Sequence, residues 1–103
     1  MDFRGTLPTL ILQSLSKAPA HGYRIAQDIK LKSEGVLDFK EGTLYPTLHG
    51  LENKGLVKSE TKQEGGRTRR YYRLTRRGKK ALARKREEWL AFSQAVALIL
   101  KEA

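Results

Sequence analysis

The sequence of 103 residues contains no cysteine, one tryptophan and one methionine. Without cysteine the chain forms no disulfide bonds and no thiolate metal sites, which agrees with a reducing cytosol. The two histidines, His21 and His49, lie far apart and lack the spacing of zinc ligands, so we expect neither a metal site nor a cofactor. A chain of this length folds into one domain whose core is too small to support a deep catalytic cleft.

Acidic residues are few: the chain has 11 of them against 21 Lys and Arg residues, which gives a net charge of +10. The excess is concentrated between Lys58 and Arg86, where 13 basic residues accompany two acidic ones. Such a surface attracts a polyanion, and DNA, RNA and an anionic membrane are all candidates. The alternative is a basic face that serves solubility, although solubility needs no such clustering.

Long hydrophobic runs are also absent. Near the C-terminus, AFSQAVALIL is about half the length that a membrane span requires. At the N-terminus, LPTLILQSL followed by APA resembles a short signal peptide, but Asp2 precedes it and Pro8 and Gln13 interrupt it. We therefore expect a soluble, cytoplasmic protein without a membrane partner.

Apolar residues at helical spacing predict two helices in the first third of the chain. The first follows Thr6, a plausible N-cap, tolerates Pro8 in its first turn and ends near Lys17. The second runs from about His21 to Lys32. Its candidates for the inward face are Ile25, Ile29 and Tyr23.

A third helix lies within GTLYPTLHGLENKG, residues 42–55, although Pro46 stands among its leucines. With Thr43 as the N-cap, Pro46 falls in the first turn, where amides lack helical partners and a proline breaks no hydrogen bond. The residues predicted to pack inward are Leu44, Leu48 and Leu51.

A hairpin and a long final helix complete the chain. LVKSETKQ and RRYYRLT alternate as strands across EGGR, whose glycines permit the positive φ of a tight turn. On the second strand Tyr72 and Leu74 share one face. Thr75 then caps the last helix, which Lys85 interrupts at one heptad position. The apolar heptad positions of this helix are Leu82, Trp89, Phe92, Val96 and Ile99.

The order helix, helix, helix, strand, strand, helix is that of a winged helix-turn-helix. We therefore predict a mainly α fold with a two-stranded β-wing. Residues 1–75 form the DNA-binding domain and residues 76–103 a C-terminal dimerisation helix, together as one compact unit. In this arrangement the third helix enters the major groove of double-stranded DNA, and the hairpin reaches toward the backbone or the minor groove.

Candidate DNA contacts lie on the outer face of the third helix and at the tip of the hairpin. Polar side chains off the leucine stripe can bind phosphates or read base edges. On the helix these are Thr43, Tyr45, Thr47 and His49. Guanidinium groups beside a glycine pair suit phosphates and narrow minor grooves. At the tip the candidates are Gly66, Arg67, Arg69 and Arg70. The alternative is that Tyr45 and His49 merely pack on neighbouring helices.

The apolar stripe of the last helix has little left to pack on within a small domain, so we expect a second subunit to cover it. The first helix is apolar over more than one face and joins that interface. The predicted interface residues are Leu7, Leu10, Leu82, Trp89, Phe92, Val96 and Ile99. A two-fold dimer presents two recognition helices to a near-palindromic site, with half-sites about 10 bp apart or a multiple of that.

Trp89 and its symmetry mate, together with Phe92, could enclose a flat aromatic ligand. A tryptophan that is simply buried in the interface is the simpler alternative.

Three blocks of the sequence resemble the PadR family of transcriptional regulators. They are HGYRIAQDI (21–29), EGTLYPTLHGLENKGLV (41–57) and RRYYRLTRRGKKAL (69–82), in order and at similar spacing, and the resemblance covers nearly the whole chain. It implies a dimeric winged-helix repressor of the small subfamily with a single short C-terminal helix. It adds Tyr23 and Pro46 to the positions expected near DNA and implies a planar effector at Trp89.

The leading hypothesis is therefore a sequence-specific DNA-binding repressor, a homodimer released from its operator by a small planar aromatic effector. Two alternatives stay open: a non-specific nucleoid-associated or RNA-binding basic protein, and a ligand- or partner-binding module whose DNA surface is vestigial. The sequence suggests no nucleophile–base pair and no carboxylate dyad, so we expect no catalytic residues and no enzyme.

Overall fold

The structure of the protein is a computed structural model that describes residues 4–101. This part of the chain begins with a 3-10 turn, Arg4–Thr6, followed by four helices and three strands. The helices are α1 (Leu7–Leu15), α2 (Gly22–Lys32), α3 (Glu41–Asn53) and α4 (Arg76–Leu100). The strands are β1 (Ala20–His21), β2 (Val57–Glu64) and β3 (Arg67–Leu74). The predicted winged helix-turn-helix, mainly α with a β-wing, is confirmed.

The starts of α1 and α2 agree with the prediction from the sequence. Thr6 is the N-cap of α1 and Pro8 lies in its first turn, where a missing amide breaks no helical hydrogen bond. α2 begins directly after His21, whose ring Nδ1 accepts a hydrogen bond of 3.2 Å from the amide of Arg24. Tyr23, a candidate for the inward face, points outward instead and is 59% exposed.

α3 begins three residues earlier than predicted. Its N-cap is Lys40, whose carbonyl accepts from the amides three and four residues on, at 3.0 and 2.9 Å. The acidic Glu41 in the first turn favours this start, because it faces the positive end of the helix dipole. The prediction that Thr43 is the N-cap is therefore wrong, and Pro46 lies in the second turn. The Gly42 carbonyl consequently receives no helical hydrogen bond, but Gly42 is exposed and water can hydrate it.

β2 and β3 form the predicted hairpin, which we call the wing (residues 57–74). Gly65 and Gly66 make its turn, with φ values of 52° and 78°. Glycine adopts this left-handed region without strain, and a two-residue turn of this kind matches the twist of the flanking strands. The register places Glu64 opposite Arg67 at the tip.

The sheet contains a third strand that the sequence did not indicate. Ala20 and His21, at the start of the predicted second helix, pair antiparallel with Tyr72 and Tyr71 of β3. β3 is therefore the central strand, and the strand order is β1-β3-β2. A strand of two residues is too short to show alternation, which is why the pattern gave no sign of it. Its pairing joins the start of α2 to the wing.

The hydrophobic core lies between one face of the wing and the helices α1, α2 and α3. The three leucines predicted to face inward on α3 are all buried. On β3, Tyr72 is buried beside Leu74, and burial raises the pKa of the Tyr72 hydroxyl. The largest fully buried side chains are Tyr72, Leu7, Ile11, Leu12, Ile25, Leu44, Leu48 and Val57.

Two residues predicted for a subunit interface belong to this core instead. Leu7 is fully buried and Leu82 is 6% exposed, because α4 packs against α1. Leu10 is partly buried against the same core. Periodicity identifies an apolar face but not the element that covers it, so the prediction is corrected for Leu7 and Leu82. The large exposed apolar residues of α4 begin at Trp89.

α4 is fixed to the rest of the domain at its first turn. Thr75 is the N-cap, as predicted: its hydroxyl accepts from the amide of Gly78 at 3.0 Å and donates to the carbonyl of Gly55 at 2.7 Å. The amide of Thr75 donates to the carbonyl of Leu56 at 3.1 Å. A Cβ atom on Gly78 would lie 2.0 Å from that Leu56 oxygen, so α4 can approach only with glycine at this position.

We predict that Gly78→Ala destabilises the protein by about 3 kcal/mol or more, because a backbone oxygen cannot move aside for the new methyl group. Gly42→Ala is the matched control, since Gly42 also lies in a first helical turn and a Cβ there meets nothing within 4 Å. We expect this control to leave the stability unchanged or to raise it by up to about 1 kcal/mol, because alanine favours a helix over glycine. Chemical denaturation measures both, and equal stabilities would contradict the prediction.

Candidate nucleic-acid interface

α3 presents most of its predicted DNA contacts on the side away from the core. Pro46 and His49 are exposed, and Thr43 and Thr47 are half-buried. The hydroxyl of Thr47 donates to the carbonyl of Thr43 at 3.0 Å, so its oxygen can still accept a hydrogen bond. A Cβ atom on Gly50 would meet nothing within 4 Å. This face of the helix is therefore open to a large partner.

Tyr45 packs across the start of α2 and stays half-buried. A Cβ atom on Gly22 would lie 2.7 Å from the Tyr45 ring and hydroxyl, so the ring occupies the space that a side chain at position 22 would fill. The alternative interpretation, that Tyr45 packs on a neighbouring helix, is thus correct for one side of the ring. The ring also lines a cleft beside the wing.

This cleft, which we call the wing cleft, has a volume of about 450 Å³. It is lined by His21, Tyr23, Tyr45, Arg67, Thr68, Arg69 and Arg70. Five of these residues were predicted contacts, whereas His21 and Thr68 were not. Gly66 lies in the turn at the wing tip. The predicted contacts on α3 other than Tyr45 do not line the wing cleft.

Arg69 and Arg70 leave β3 on opposite faces, since adjacent residues of a strand alternate. Nη1 of Arg70 donates to Oγ of Ser59 at 2.9 Å, and that hydroxyl donates to Glu52 at 2.5 Å. Nη1 of Arg69 lies 2.8 Å from Nε2 of His21. The two arginines are therefore held by neutral groups on either side of the strand.

Within residues 4–101, no basic side chain of the wing is paired with a carboxylate. The salt bridges in that range lie in α2 and the loop after it. Glu64, at the wing tip, accepts from the hydroxyl of Tyr71 at 2.6 Å, and this hydrogen bond raises the pKa of Tyr71. Arg67 is exposed, and its guanidinium makes no hydrogen bond within residues 4–101. The arginines of the wing are therefore available to attract an external anion.

His21 lies where α2, the wing and the wing cleft meet. Its ring stacks on Tyr23 with centroids 6.4 Å apart and meets the edge of Tyr71 at 5.4 Å. Burial, and next the Arg69 guanidinium, lower the pKa of His21 below its ordinary value of 6.5, while Glu64 partly opposes them. The neutral ring is therefore the main form at pH 7.

His21 and Thr68 differ in how far the sequence could have revealed them. Thr68 lies between two predicted arginine contacts on the same strand, so the hairpin prediction already places it near them. His21 directly precedes a predicted helix, which is a signal for a capping role. Its contact with Arg69, 48 residues away, depends on the pairing of β1 with β3, for which the sequence pattern has no signal.

The described residues, 4–101, bring together no group of three His, Asp or Glu side chains that could hold a metal ion. His21 and His49 lie on different elements, at the start of α2 and on α3. None of the helices in that range has the length and apolar character needed to cross a bilayer.

Comparison with known proteins places this arrangement among regulators. The model of the transcriptional regulator PadR-like family matches residues 11–84. The transcriptional regulator Rv3488 of Mycobacterium tuberculosis is 42% identical over 76 residues, which cover 74% of this chain and 55% of that protein. The chain thus spans about half the length of that relative.

Solved structures extend the similarity to almost the whole chain. A transcriptional regulator from Clostridium thermocellum superimposes with a TM-score of 0.88 at 35% identity, covering 95% of this chain and 93% of that one. A PadR family transcriptional regulator from Eggerthella lenta gives a TM-score of 0.82 at 32% identity, covering 97% and 86%.

We predict that His21 makes the stability of the protein pH-dependent. The unfolded chain protonates near the ordinary pKa of 6.5, whereas the folded state keeps the ring neutral to lower pH. The stability that the neutral His21 ring provides is present above pH 6.5 and is lost as the pH falls through the pKa of His21 in the folded state. Between about pH 7.5 and pH 5.5, the wild type should lose more thermal stability than His21→Asn, since asparagine also caps a helix but does not titrate. Equal losses in the two proteins would contradict this.

Proposed function

Because the chain belongs to the PadR-like family of transcriptional regulators, we propose that it is a sequence-specific DNA-binding repressor that acts as a homodimer. The resemblance of its three sequence blocks to this family is confirmed. As a member of the family the chain is a regulator of transcription and not an enzyme.

The observation that carries the proposal is the set of unpaired arginines around the wing cleft, next to the open face of α3. A guanidinium that no carboxylate neutralises binds phosphate with two parallel hydrogen bonds. A helix face with short polar side chains fits the major groove. Tyr45 of α3 lines the wing cleft together with Arg67, Arg69 and Arg70, so the helix and the arginines border one cleft, and we expect a single duplex to engage both.

In the proposed complex α3 lies in the major groove and the wing follows the backbone or the minor groove. The hydroxyls and the imidazole on α3 suit base edges, and the tyrosines and arginines of the wing cleft suit phosphates. Pro46 and Gly66 bring backbone close to the duplex. The proposed contacts are Tyr23, Thr43, Tyr45, Pro46, Thr47, His49, Gly66, Arg67, Arg69 and Arg70.

We expect a second copy of the chain to cover the end of α4. Trp89 is 49% exposed, Phe92 61% and Ile99 81%, and Val96 on the same stripe is half-buried. Exposed apolar patches of this size are uncommon on monomers. Covering them in a two-fold dimer gives two α3 helices for a near-palindromic operator. In this proposal residues 1–75 bind DNA and α4 beyond Leu82 forms the dimer contact.

The pair of rings on α4 supports an effector site at the same interface. The centroids of Trp89 and Phe92 lie 6.0 Å apart with their planes tilted by 41°. A two-fold axis beside them would bring four aromatic rings together, and planar aromatic molecules stack favourably between such rings. Binding there would change how the two α4 helices pack and hence the separation of the two α3 helices.

The repressor role follows from the resemblance to the family, and operator occupancy would exclude the transcription machinery from the promoter. The proposed site of action is the cytoplasm, as the sequence predicts. An activator would bind the same operators, so DNA binding alone does not distinguish the two roles. Transcription measured with and without the protein does: a repressor lowers it and an activator raises it.

Selection of bound duplexes from random DNA tests the central claim. We expect one recovered motif with two related half-sites whose centres lie about 10 bp apart or a multiple of that. Affinity for this motif should exceed that for scrambled DNA by about 1,000-fold or more at physiological salt. Recovery of unrelated sequences with uniform affinity would instead identify a non-specific DNA- or RNA-binding protein.

Trp89→Ala tests the dimer. We predict that it weakens self-association by about 30-fold or more, because a buried tryptophan at the centre of an interface commonly contributes over 2 kcal/mol. Leu90→Ala is the matched control: Leu90 is also exposed, at 56%, but lies about 100° around the helix from Trp89. Sedimentation measures both variants. A Trp89→Ala protein that remains as dimeric as the control would refute the proposed interface.

A further inference from the structure

Two donors point at one histidine ring whose neutral form can accept only one hydrogen bond. The amide of Arg24 lies 3.2 Å from Nδ1 of His21, and Nη1 of Arg69 lies 2.8 Å from Nε2. A backbone amide and a guanidinium only donate, whereas a neutral imidazole has one N–H and one acceptor nitrogen. Because burial and the Arg69 guanidinium lower the pKa of His21 below 6.5, the neutral ring is the main form at pH 7. One of the two contacts therefore brings N–H groups face to face.

The helix cap determines which nitrogen accepts. His21 is the N-cap of α2, with extended backbone geometry, and Nδ1 satisfies one of the amides that the first turn leaves without a partner. Nε2 then carries the proton and directs it toward Arg69, in the wing cleft. Two donors 2.8 Å apart are unfavourable unless a third group accepts from both.

We propose that His21 is a DNA contact: its Nε2–H and the Arg69 guanidinium donate to the same backbone phosphate. The inference rests on the proposed DNA binding and adds a contact that the sequence did not predict. A phosphate oxygen is anionic and accepts several hydrogen bonds, so it satisfies both donors at once. The wing cleft, at about 450 Å³, has room for a phosphate group.

The surroundings of the ring favour an external acceptor. None of the residues that line the wing cleft is acidic, so no carboxylate there competes for the two donors. The nearby Glu64 already accepts from the hydroxyl of Tyr71. Arg70, on the other face of the strand, donates to Ser59 and does not reach His21 through any hydrogen bond.

The donor is also rigid before any ligand arrives. The ring lies nearly parallel to Tyr23 and nearly perpendicular to Tyr71, and the backbone of His21 is paired with β3. Tyr23 in turn accepts a hydrogen bond from Gln27 at 3.2 Å. A contact that is already ordered loses little conformational entropy on binding, which increases its contribution to affinity.

The competing explanation is that His21 acts only within the protein, capping α2 and contacting the wing. Two substitutions separate the roles, because each preserves one ring nitrogen. The amide of asparagine reaches the position of Nδ1 and keeps the cap, whereas the amide of glutamine reaches the position of Nε2 and keeps the outer donor.

The experiment measures affinity for a mixed-sequence duplex of about 20 base pairs at low salt, because a phosphate contact does not require an operator. His21→Asn should fold with wild-type stability at pH 7 but bind about tenfold more weakly. His21→Gln should have a melting temperature lower by about 5 °C yet bind within about twofold of the wild type. The opposite pattern, with His21→Asn binding normally, would overturn the proposal.

Arg69→Ala completes the test. If both residues hold one phosphate, His21→Asn should weaken binding much less in the Arg69→Ala background than in the wild type. Losses of binding free energy that add up would show independent contacts and would contradict the proposal. The mixed-sequence duplex contains no operator. If the selection from random DNA recovered no motif, the proposed sequence specificity would be wrong, but the binding results for the His21 and Arg69 variants would still test the phosphate contact.

The nitrogen resonances of His21 in the wild-type protein provide a readout that needs no variant. On addition of the duplex at pH 7, we expect Nδ1 to stay unprotonated and Nε2 to carry the proton. A DNA-bound ring with the proton on Nδ1, or one whose resonances do not respond to DNA, would overturn the proposal.

Discussion

The hydrogen bonds of Thr75 fix the first turn of α4 relative to α3 and the wing. This one residue connects the segment after α3, the base of the wing and the first turn of α4. The tight approach at Gly78 leaves no space for the helix to shift toward the backbone of Leu56. A change in the packing of α4 against another subunit would therefore be transmitted to α3 and the wing as a displacement of the whole domain.

The sequence was sufficient wherever the deciding interactions lie within a few residues of one another. The Gly65–Gly66 turn sets the hairpin register, because few other residues adopt two consecutive positive φ values. Thr75 was identified as a cap from its place before a basic, helix-forming segment. The arginines of the wing cleft followed from that hairpin, so most of the candidate site was predictable once the turn was known.

The wrong predictions have two sources. In some places two sequence signals compete, and in others the structure depends on a contact between segments that are far apart in the sequence. Pro46 indicated the start of α3, but Lys40 and Glu41 already provide a start, and an exposed helix tolerates the proline one turn later. Leu82 lies on the apolar heptad stripe of α4, but heptad spacing does not distinguish a residue of the domain core from one at a subunit interface. The contact of His21 with the wing depends on the two-residue strand β1, which is too short to show an alternation of apolar and polar residues.

The exposed end of α4 also links the order of this segment to the amount of protein present. Between Trp89 and the end of α4 at Leu100 no side chain is fully buried, and an isolated helix of about 12 residues is marginal in water. Its helical content then depends on how often an apolar partner covers it. If that partner is a second copy, dilution should increase hydrogen exchange in the last turns while leaving the wing protected. The abundance of the regulator would thus set the fraction of molecules whose last turns are ordered.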